Sequence, residues 1–570
     1  MLDIYRDGWI TARMQDGSLL QTGVRGCFEH ADQIQDIFVD GVTTAMDNAS
    51  VFSLLEVFLC RVTRLLDEVD KYELFLQGKF DSSMMQKLDA YVKSCEEKGI
   101  SFDVFDEKRP FMQNAQIPAK VSPSAVSVLD AVMLSGHNSI FHAGVLKKKC
   151  MENQYVMTEK QYAASVIRNC QFRIAAGAGY SPSGLCTGQP PLYLIPEGRN
   201  LFETLVLSLP CYDSRETSEK DLPLWEQEEL PVDVPKLITN HALGYCAVMF
   251  LPTVGMHYGK VEGDTVSTVY TWTTTTMYQA FGKDCKIHFP SNTENMDVLL
   301  DKCTNFLVYD NKKGHKSVCT FSAERDMLLD LFRLNINDLN DRFKYFGYNS
   351  LEAVKFIKTV RNDMGGDVPE KIMCRIFGLR MLKQGEPQPA QLSINMELPT
   401  KVMTNEDAYA ACADLVQRLY EMAQTLESTL IQLDQDMAYN KDKALNSGRS
   451  NNNNDGKTKE GNKGKPKAGN VKKSTTGNEK KPDYDHLKDT ITQATRQYTR
   501  FLHNCCTNGW LQELADANDF QGVKEKCLQS AYQEAIRIYD QYPVLNRDYI
   551  SKIRRKENFE GRLKRSMEND

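Results

Sequence analysis

The stretch TNEDAYAACADLVQRLYEMAQTLESTLIQL, residues 404–433, decides the fold class of the last third of the chain. Its apolar residues recur at steps of three or four, a spacing that lines them along one face of an α-helix. They are Ala408, Cys412, Leu415, Leu419, Met422, Leu426, Leu430 and Leu433. Thr404-Asn405-Glu406-Asp407 has the form of a capping box, so the helix is predicted to begin there.

The same spacing continues towards the carboxy terminus. One set comprises Leu487, Ile491, Ala494, Tyr498, Phe501 and Cys505, and a second comprises Cys527, Leu528, Ala531, Tyr532, Ala535, Ile536 and Tyr539. Several long amphipathic helices in succession bury their apolar faces against each other. The sequence therefore predicts a helical domain over 401–570, with the architecture of a four-helix bundle.

Residues 446–482 interrupt this helical pattern. They contain ten Lys/Arg against three Asp/Glu, and Val471 is their only aliphatic residue beyond alanine. Such a segment cannot bury enough apolar surface to offset its ordering entropy, so we predict a disordered, cationic insertion. It serves either as a spacer or as a contact with phosphates.

The first 400 residues mix helical and extended patterns. Leu54, Leu55, Phe58 and Leu59 have helical spacing, as does the stretch 84–92, whereas 244–252 (GYCAVMFLP) is typical of a buried strand. Apolar and polar residues alternate over 266–274, which predicts a half-buried strand. Strands and helices do not alternate regularly, so we predict an α+β fold with one large, irregular mixed domain over 1–400, followed by the helical bundle.

Composition excludes several classes of protein. With 570 residues and 41% hydrophobic residues the chain can bury a large core. Its apolar runs are far shorter than the ~20 residues that span a bilayer, and its first residues lack a signal-peptide core, so we expect a cytoplasmic protein with no membrane partner. The net charge of −7 argues against a free-standing nucleic-acid binder. The sixteen cysteines include no C-x-x-C pair, which favours free thiols.

Catalytic signatures are missing from the sequence. It contains no phosphate-binding GxxxxGK[ST], no HExxH, no GxSxG and no zinc-finger spacing. We therefore expect no enzymatic activity, no cofactor and no metal site. Two other classes stay open, namely a metal-dependent hydrolase with an unfamiliar site and a helical scaffold protein without a nucleic-acid role.

Two polar segments are candidates for ligand contact. The stretch 174–188 (IAAGAGYSPSGLCTG) is rich in glycine, which lets the backbone approach a ligand and present its N–H groups. The stretch 135–142 (SGHNSIFH) precedes Lys147-Lys148-Lys149, a combination that suits a loop lying on nucleic acid. Each segment could instead be an ordinary surface connection.

Eight segments, in order along nearly the whole chain, together resemble the CasA (Cse) family, the large subunit of type I-E CRISPR Cascade surveillance complexes. Besides the two polar segments, the resemblance rests on 2–10 (LDIYRDGWI), 109–113 (RPFMQ), 198–210 (GRNLFETLVLSLP), 222–227 (LPLWEQ), 244–252 and 377–391 (FGLRMLKQGEPQPAQ). A carboxy-terminal helical bundle is also typical of that family.

The resemblance implies a non-catalytic subunit with defined contacts. Family members recognise the protospacer-adjacent motif that flanks the target in double-stranded DNA, start strand separation and dock the helicase-nuclease, alongside the crRNA and the other subunits. The loop that follows the minor groove of the flanking motif would be Gly177, Ala178, Gly179 and Tyr180. The wedge beneath that motif would be Lys383, Gln384 and Gly385, with Gln384 inserted; a solvated turn glutamine is the alternative. The loop that grips the crRNA and neighbouring subunits would be Ser135, Gly136, His137, Asn138, Ser139, Ile140, Phe141 and His142.

The sequence departs from the family in three places. Some similar members carry a Cys-x-x-Cys pair after position 254, whereas this chain has only Cys285 and Cys303 nearby, so no structural zinc is expected. A lysine that reaches the flanking motif is expected in the same region, and Lys283 and Lys286 are both candidates. The insertion at 446–482 is longer and more basic than the family requires.

Overall fold

The computed structural model describes residues 2–42, 45–119, 122–130, 155–172, 192–226, 245–250, 255–271, 306–307, 352–366, 368–380, 390–450, 484–545 and 548–568. The chain forms two compact units. The first comprises residues 1–320, 327–413 and 507–516, and the second comprises 321–326, 414–506 and 517–570.

The first unit contains both helices and short strands. Its helices are α1 (Val24–Glu29), α2 (Ala45–Thr63), α3 (Glu68–Leu76), α4 (Ser82–Glu97), α5 (Glu159–Phe172), α6 (Leu201–Ser208), α7 (Arg215–Lys220), α8 (Tyr245–Met249), α9 (Glu352–Asn362) and α10 (Thr400–Thr404). The first turns of α11 (Glu406–Ser450) also belong to this unit. Helix α12 (Tyr484–Cys505) belongs to the second unit, and α13 (Leu511–Asp516) belongs to the first. Its strands are β1 (Ile10–Met14), β2 (Leu19–Thr22), β3 (Ile34–Phe38), β4 (Ser124–Ala125), β5 (Met157–Thr158), β6 (Leu192–Glu197), β7 (Met256–Tyr258), β8 (Val261–Glu262), β9 (Thr265–Val266), β10 (Thr268–Thr271), β11 (Phe306–Leu307), β12 (Lys371–Arg380) and β13 (Ala390–Pro399).

The strands build small antiparallel sheets. Their orders are β2-β1-β3, β4-β10-β7, β11-β6-β12-β13 and β5-β9-β8. The longest ladder joins β12 to β13 and runs from Lys371 opposite Pro399 to Arg380 opposite Ala390. The predicted α+β class, with a helical carboxy-terminal part, is confirmed.

Helix α2 forms the centre of the first unit. Its residues are mostly apolar, and every side chain from Met46 to Arg61 except that of Asn48 is buried, as expected of a core helix. Polar residues at Asp47, Ser50, Ser53 and Glu56 nevertheless recur every three positions and are fully buried. We call these four residues the polar seam. Buried polar groups need hydrogen-bond partners, so the seam dictates which elements can pack against this side of the helix.

The prediction of a buried strand over 244–252 is wrong. Residues 245–249 form helix α8, and Tyr245, Cys246, Ala247, Met249 and Phe250 are buried as expected. The carboxylate of Asp221 accepts hydrogen bonds from the backbone N–H groups of Cys246 at 2.8 Å and Ala247 at 2.9 Å. These N–H groups belong to the helix start, which lacks intrahelical acceptors, so Asp221 stabilises a helix where an apolar run alone is ambiguous.

The strand predicted over 266–274 is divided. Strand β9 pairs with β5 and β8, whereas β10 pairs with β4 and β7, so the two lie in different sheets. The buried residues are Val266, Val269 and Thr271, because the face that points inwards changes at Ser267. Residues 272–274 lie outside the described part of the chain.

The RPFMQ segment at 109–113 is a buried turn. Gln113 donates a hydrogen bond to the carbonyl oxygen of Val104 at 2.7 Å. Its side-chain oxygen accepts from the hydroxyl of Tyr162 at 2.9 Å and from the backbone N–H of Tyr258 at 2.8 Å. This glutamine therefore ties α5 to β7, which gives the motif a structural role.

The helix predicted from 404–433 is confirmed, and all eight residues of its apolar stripe are buried. Its cap differs from the prediction. Thr404 ends α10, and the side-chain oxygen of Asn405 accepts from the backbone N–H of Ala408 at 3.0 Å. Helix α11 extends to Ser450, so the first five residues of the predicted disordered insertion are helical.

The regular secondary structure in the described residues of the second unit is entirely helical. Its helices are most of α11, then α12, α14 (Phe520–Gln541) and α15 (Tyr549–Glu568). The buried residues described on α12 are Ile491, Thr495, Tyr498, Thr499, Leu502 and His503. The predicted core residues Ala494, Phe501 and Cys505 are only half-buried at the margin of this face. Helix α15 lies antiparallel to α11, since Arg555 pairs with Asp436 at 2.8 Å whereas Arg418 donates to the carbonyl of Met567 at 3.0 Å.

Candidate nucleic-acid interface

The predicted contact residues lie in three segments outside the described residues. These are 131–154, which holds Ser135 to His142; 173–191, which holds Gly177, Ala178, Gly179 and Tyr180; and 381–389, which holds Lys383, Gln384 and Gly385. Lys283, Lys286, Cys285 and Cys303 also lie outside the described part. The structure does describe the residues from which each of the three segments starts and to which it returns.

The glycine-rich segment starts and ends at neighbouring points. Helix α5 ends at Phe172 and strand β6 begins at Leu192. The rings of Phe172 and Tyr193 are 6.2 Å apart between centroids, and both residues are fully buried. Aromatic rings at this separation are in favourable contact. The segment 173–191 is thus closed at its base by a buried aromatic pair.

The segment with Gln384 joins the two longest strands. Arg380 pairs with Ala390 at the end of the β12–β13 ladder, so residues 381–389 connect the strands beyond that pair. Gln384 is four residues from Arg380 along the chain. The described pair Arg380 and Ala390 therefore marks where this segment leaves the sheet and where it returns.

The points where 173–191 and 381–389 join the sheet lie at the same end of that sheet. Strand β6 pairs with β12 in antiparallel register, from Met373 opposite Glu197 to Phe377 opposite Tyr193. The first residue of β6 therefore lies at the end of the sheet where β12 passes into 381–389. At a strand rise of about 3.4 Å per residue, Phe377 is about 10 Å from Arg380. We call this end, formed by Leu192, Arg380 and Ala390, the loop edge.

The third segment is closed by a hydrogen bond at its base. Tyr155 donates its hydroxyl to a carboxylate oxygen of Asp130, and the two residues flank 131–154. The other oxygen of Asp130 accepts from Nη2 of Arg168 at 3.0 Å. Arg168 lies on α5, five residues before the glycine-rich segment begins at 173. The described structure thus links the base of 131–154 to the helix that leads into the glycine-rich segment.

Arg168 is fully buried and bridges two carboxylates. Its Nη1 donates to Asp47 at 2.8 Å and 3.1 Å, and its Nη2 also donates to the carbonyl of Leu129 at 2.7 Å. Burial acts to lower the pKa of Arg168, but the Asp47 and Asp130 carboxylates outweigh it and keep that pKa above its ordinary value. The guanidinium therefore remains charged and its fork holds three elements in one orientation.

Glu56 of the polar seam supports the start of β6. Its Oε2 accepts hydrogen bonds from the hydroxyls of Tyr193 and Tyr245, the latter at 2.9 Å. Burial raises the pKa of Glu56 to about 7, against the opposing effect of hydrogen bonds from Tyr193, Tyr245 and Ser208. Ser53 of the seam accepts from Gln171 at 2.9 Å, next to Phe172. The seam thus holds both ends of 173–191.

Arg375 on β12 is held by protein carboxylates. It pairs with Asp36 at 2.9 Å and with Glu197, which joins β12 to β3 and to the far end of β6. A guanidinium with two carboxylate partners is not available to neutralise a phosphate. Its role here is to fix the strand that carries the loop edge.

Sequence reasoning missed this supporting layer. Asp47, Glu56, Asp130, Tyr155 and Arg168 were not singled out as functional residues. Two signals could have found three of them. Polar residues every three positions in an otherwise apolar helix point to Asp47 and Glu56, and the single arginine in YAASVIRNCQF at 162–172 points to Arg168. Both patterns indicate buried charges with specific partners.

The described residues were also compared with the requirements of a metal site, a disulfide bond and a membrane-spanning helix. There, His, Cys, Asp and Glu side chains do not form a group of three or more that could hold a metal ion. The cysteines that the structure describes are free thiols. None of the described helices combines the length and apolar composition that crossing a bilayer requires.

Comparisons with known proteins point to one family. The family model of CRISPR-associated protein Cse1 matches residues 3–537. The structure is similar to that of Cse1 from Acidimicrobium ferrooxidans, with 15% identity, a TM-score of 0.62, and coverage of 99% of this chain and 98% of that one. CasA from Thermus thermophilus is 15% identical with a TM-score of 0.61, and 99% of each chain is covered.

A third similar structure is a chain of a CRISPR RNA-guided surveillance complex. It is 15% identical, its TM-score is 0.58, and the alignment covers 98% of this chain and 99% of that chain. The search of curated proteins finds no match. At these identities the structural likeness concerns the fold.

Proposed function

The chain belongs to the family of CRISPR-associated protein Cse1, and from this premise we propose that it is the large subunit of a crRNA-guided DNA surveillance complex. In this role it recognises the protospacer-adjacent motif in double-stranded DNA, starts strand separation and docks the helicase-nuclease. Its partners are the crRNA, the other subunits of the complex and the target duplex, in the cytoplasm. The chain itself is not an enzyme and uses no cofactor.

One observation carries the proposal: the glycine-rich segment and the Gln384 segment are anchored at the same loop edge. Tyr193, at the end of the first segment, pairs with Phe377, three residues before the end of β12. A protein that reads the flanking motif and opens the adjacent base pair must place two contacts within a few base-pair steps. Two loops that share a sheet end satisfy this requirement, although they are far apart in sequence.

The chemistry of the two segments suits this division of work. Minor-groove patterns are degenerate, so backbone groups presented by Gly177 and Gly179 suit a reader of several related motifs. A side chain inserted between base steps unstacks them, which is the role proposed for Gln384. Guide pairing reads the remaining sequence and supplies affinity, so an acidic subunit is compatible with DNA recognition.

The test is reconstitution of the complex with and without this chain. Binding is measured to duplexes that share one guide-matched target and differ only in the flanking motif. We expect tight binding to a subset of flanks, and loss of this preference when the chain is omitted. Equal affinity for all flanks in the complete complex would overturn the proposal and favour a scaffold role. Cleavage of DNA or RNA by the purified chain with divalent metal would favour the hydrolase instead.

A further inference from the structure

The buried network around Arg168 joins two segments for which different ligands are proposed. Asp130 and Tyr155 flank 131–154, and Arg168 precedes 173–191 on α5. The side chains of Arg168, Asp47 and Asp130 are exposed by 0%, 1% and 4%. Asp130 also accepts from the hydroxyl of Ser165 at 3.4 Å, one turn earlier on the same helix.

This arrangement specifies orientation more than stability. Removing ions from water is costly, and apolar side chains of similar volume often replace a buried ion pair without loss of stability. The planar guanidinium of Arg168 instead fixes the relative orientation of the groups that it contacts. Nη1 faces Asp47 on α2, whereas Nη2 faces Asp130 and the carbonyl of Leu129. A shift of Asp130 therefore cannot leave α5 unaffected, because these groups are shielded from bulk solvent that could replace the bond.

We propose that Arg168 is a positioning residue that couples the two recognition segments. When crRNA or a neighbouring subunit holds 131–154, Asp130 and Tyr155 fix Arg168, and α5 then holds the start of 173–191 in the arrangement that reads the flanking motif. The inference rests on the proposed function, since it uses the ligands assigned to the two segments. It adds that flanking-motif recognition depends on residues that touch neither ligand.

The choice of variant follows from the burial of the network. Arg168→Met would remove the one cation that both buried carboxylates contact in this network and would be strongly destabilising. Tyr155→Phe removes only the hydroxyl that ties the far end of 131–154 to Asp130, and it keeps the Arg168 ion pairs. Tyr91→Phe is a matched control, because Tyr91 donates at 2.6 Å to Glu226, which holds the buried Arg61 at 2.7 Å. That second network contacts neither segment end.

The experiment compares the two variants in the complete complex. Affinity is measured for a duplex with the preferred flank and for one with a disfavoured flank, after subunit incorporation has been saturated. We expect Tyr155→Phe to reduce the ratio of the two affinities about tenfold, the size of effect that a hydrogen bond to a charged group has. Tyr91→Phe should leave the ratio within about twofold of wild type. Equal loss in both variants, or no loss in either, would overturn the proposal.

A second readout separates this inference from the proposed function. Amide hydrogen exchange of the isolated full chain is followed in peptides covering 173–191, with no nucleic acid present. Faster exchange there in Tyr155→Phe, but not in Tyr91→Phe, supports the coupling. This holds even if wild-type complexes show no flank preference, because that result would count against the proposed function alone. Exchange in 173–191 that is the same in Tyr155→Phe and wild type would overturn the coupling.

Discussion

Tyr245 donates a 2.9 Å hydrogen bond to Glu56 at the same carboxylate oxygen that the hydroxyl of Tyr193 contacts. The acceptor is completely buried in the centre of the first unit. One carboxyl group thus connects α8, the start of β6 and the core helix α2. Its protonation bears directly on the support of the loop edge.

The Glu56→Gln variant is expected to change how stability depends on pH. Burial raises the pKa of Glu56 from 4.5 to about 7, so the folded chain holds a proton that the unfolded chain releases. The contribution of Glu56 is therefore fully present below pH 4.5 and is lost as the pH rises through 7. At 1.36 kcal/mol per pKa unit the loss is on the order of 3 kcal/mol. Urea unfolding of both chains across this range should give a flatter profile for glutamine, which stays neutral; parallel profiles would contradict the assignment.

Aspartate at Gly179 is expected to abolish discrimination between preferred and disfavoured flanks. A Cβ would keep the backbone away from the groove floor, and the carboxylate would repel phosphates. Gly179→Ala separates the two causes, since it adds the Cβ without the charge. Competition binding with the assembled complex measures both variants. Wild-type discrimination in the aspartate variant would remove 177–180 from the site.

The Gln384→Ala variant tests strand opening. Separating the first base pair sacrifices stacking of about 1.4 kcal/mol per step before guide pairing compensates. Without the inserted side chain, binding to an intact duplex should weaken or slow, whereas a target already unpaired beside the flank should bind almost normally. Association kinetics on the two substrates decide the question. An equal effect on both, or none on either, would assign Gln384 to a solvated turn.

Removal of 451–482 is expected to leave the melting temperature nearly unchanged, since this stretch contributes almost no apolar surface. The deletion retains α11 up to Ser450. If the lysines contact DNA phosphates, each lost contact should flatten the dependence of log affinity on log salt by about 0.7–0.9. A control of unchanged length replaces Lys457, Lys459, Lys463, Lys465 and Lys467 with glutamine. Salt slopes identical to wild type in both chains would leave the insertion as a spacer.

Two glycine-to-alanine changes should have opposite effects on stability. A Cβ at Gly23 would lie 2.6 Å from the carbonyl oxygen of Tyr5, which is backbone and cannot move aside, so a loss of about 1–3 kcal/mol is expected. A Cβ at Gly561, inside α15, meets nothing within 4 Å, and alanine there should add about 0.5–1 kcal/mol. Denaturant unfolding measures both. Stabilisation by the first change would contradict the packing of the amino-terminal turn.

The sequence was sufficient for features that local periodicity encodes. Leu415, Leu419 and Met422 are buried as their spacing requires, because a long amphipathic helix repeats one signal many times. The run at 244–252 was assigned wrongly because a buried helix and a buried strand are both apolar. What decides between them is Asp221, more than twenty residues earlier in the chain, whose role only tertiary structure reveals.

The arrangement of the candidate site could not be predicted from patterns in short stretches of sequence. The pairing of Tyr193 with Phe377, and of Arg168 with an aspartate 38 residues away, depends on the packing of the whole first unit. Resemblance to a family supplied the segments that hold the proposed contacts, residue by residue. It gave no indication of the buried charges beneath them, since the motifs that carry the resemblance do not include Asp47, Asp130 or Arg168.

The contact between Phe172 and Tyr193 makes 173–191 an exchangeable cassette. The residues at its base, Phe172 and Tyr193, are in ring contact with centroids 6.2 Å apart, so a replacement has to join the chain beside one ring to the chain beside the other. Loop-closure entropy changes by only about 0.6 kcal/mol when loop length doubles. Replacements of different length and composition can therefore be grafted between the same two aromatic residues. If 173–191 reads the flanking motif as proposed, selection from a library of such grafts is a route to surveillance complexes with new targeting ranges.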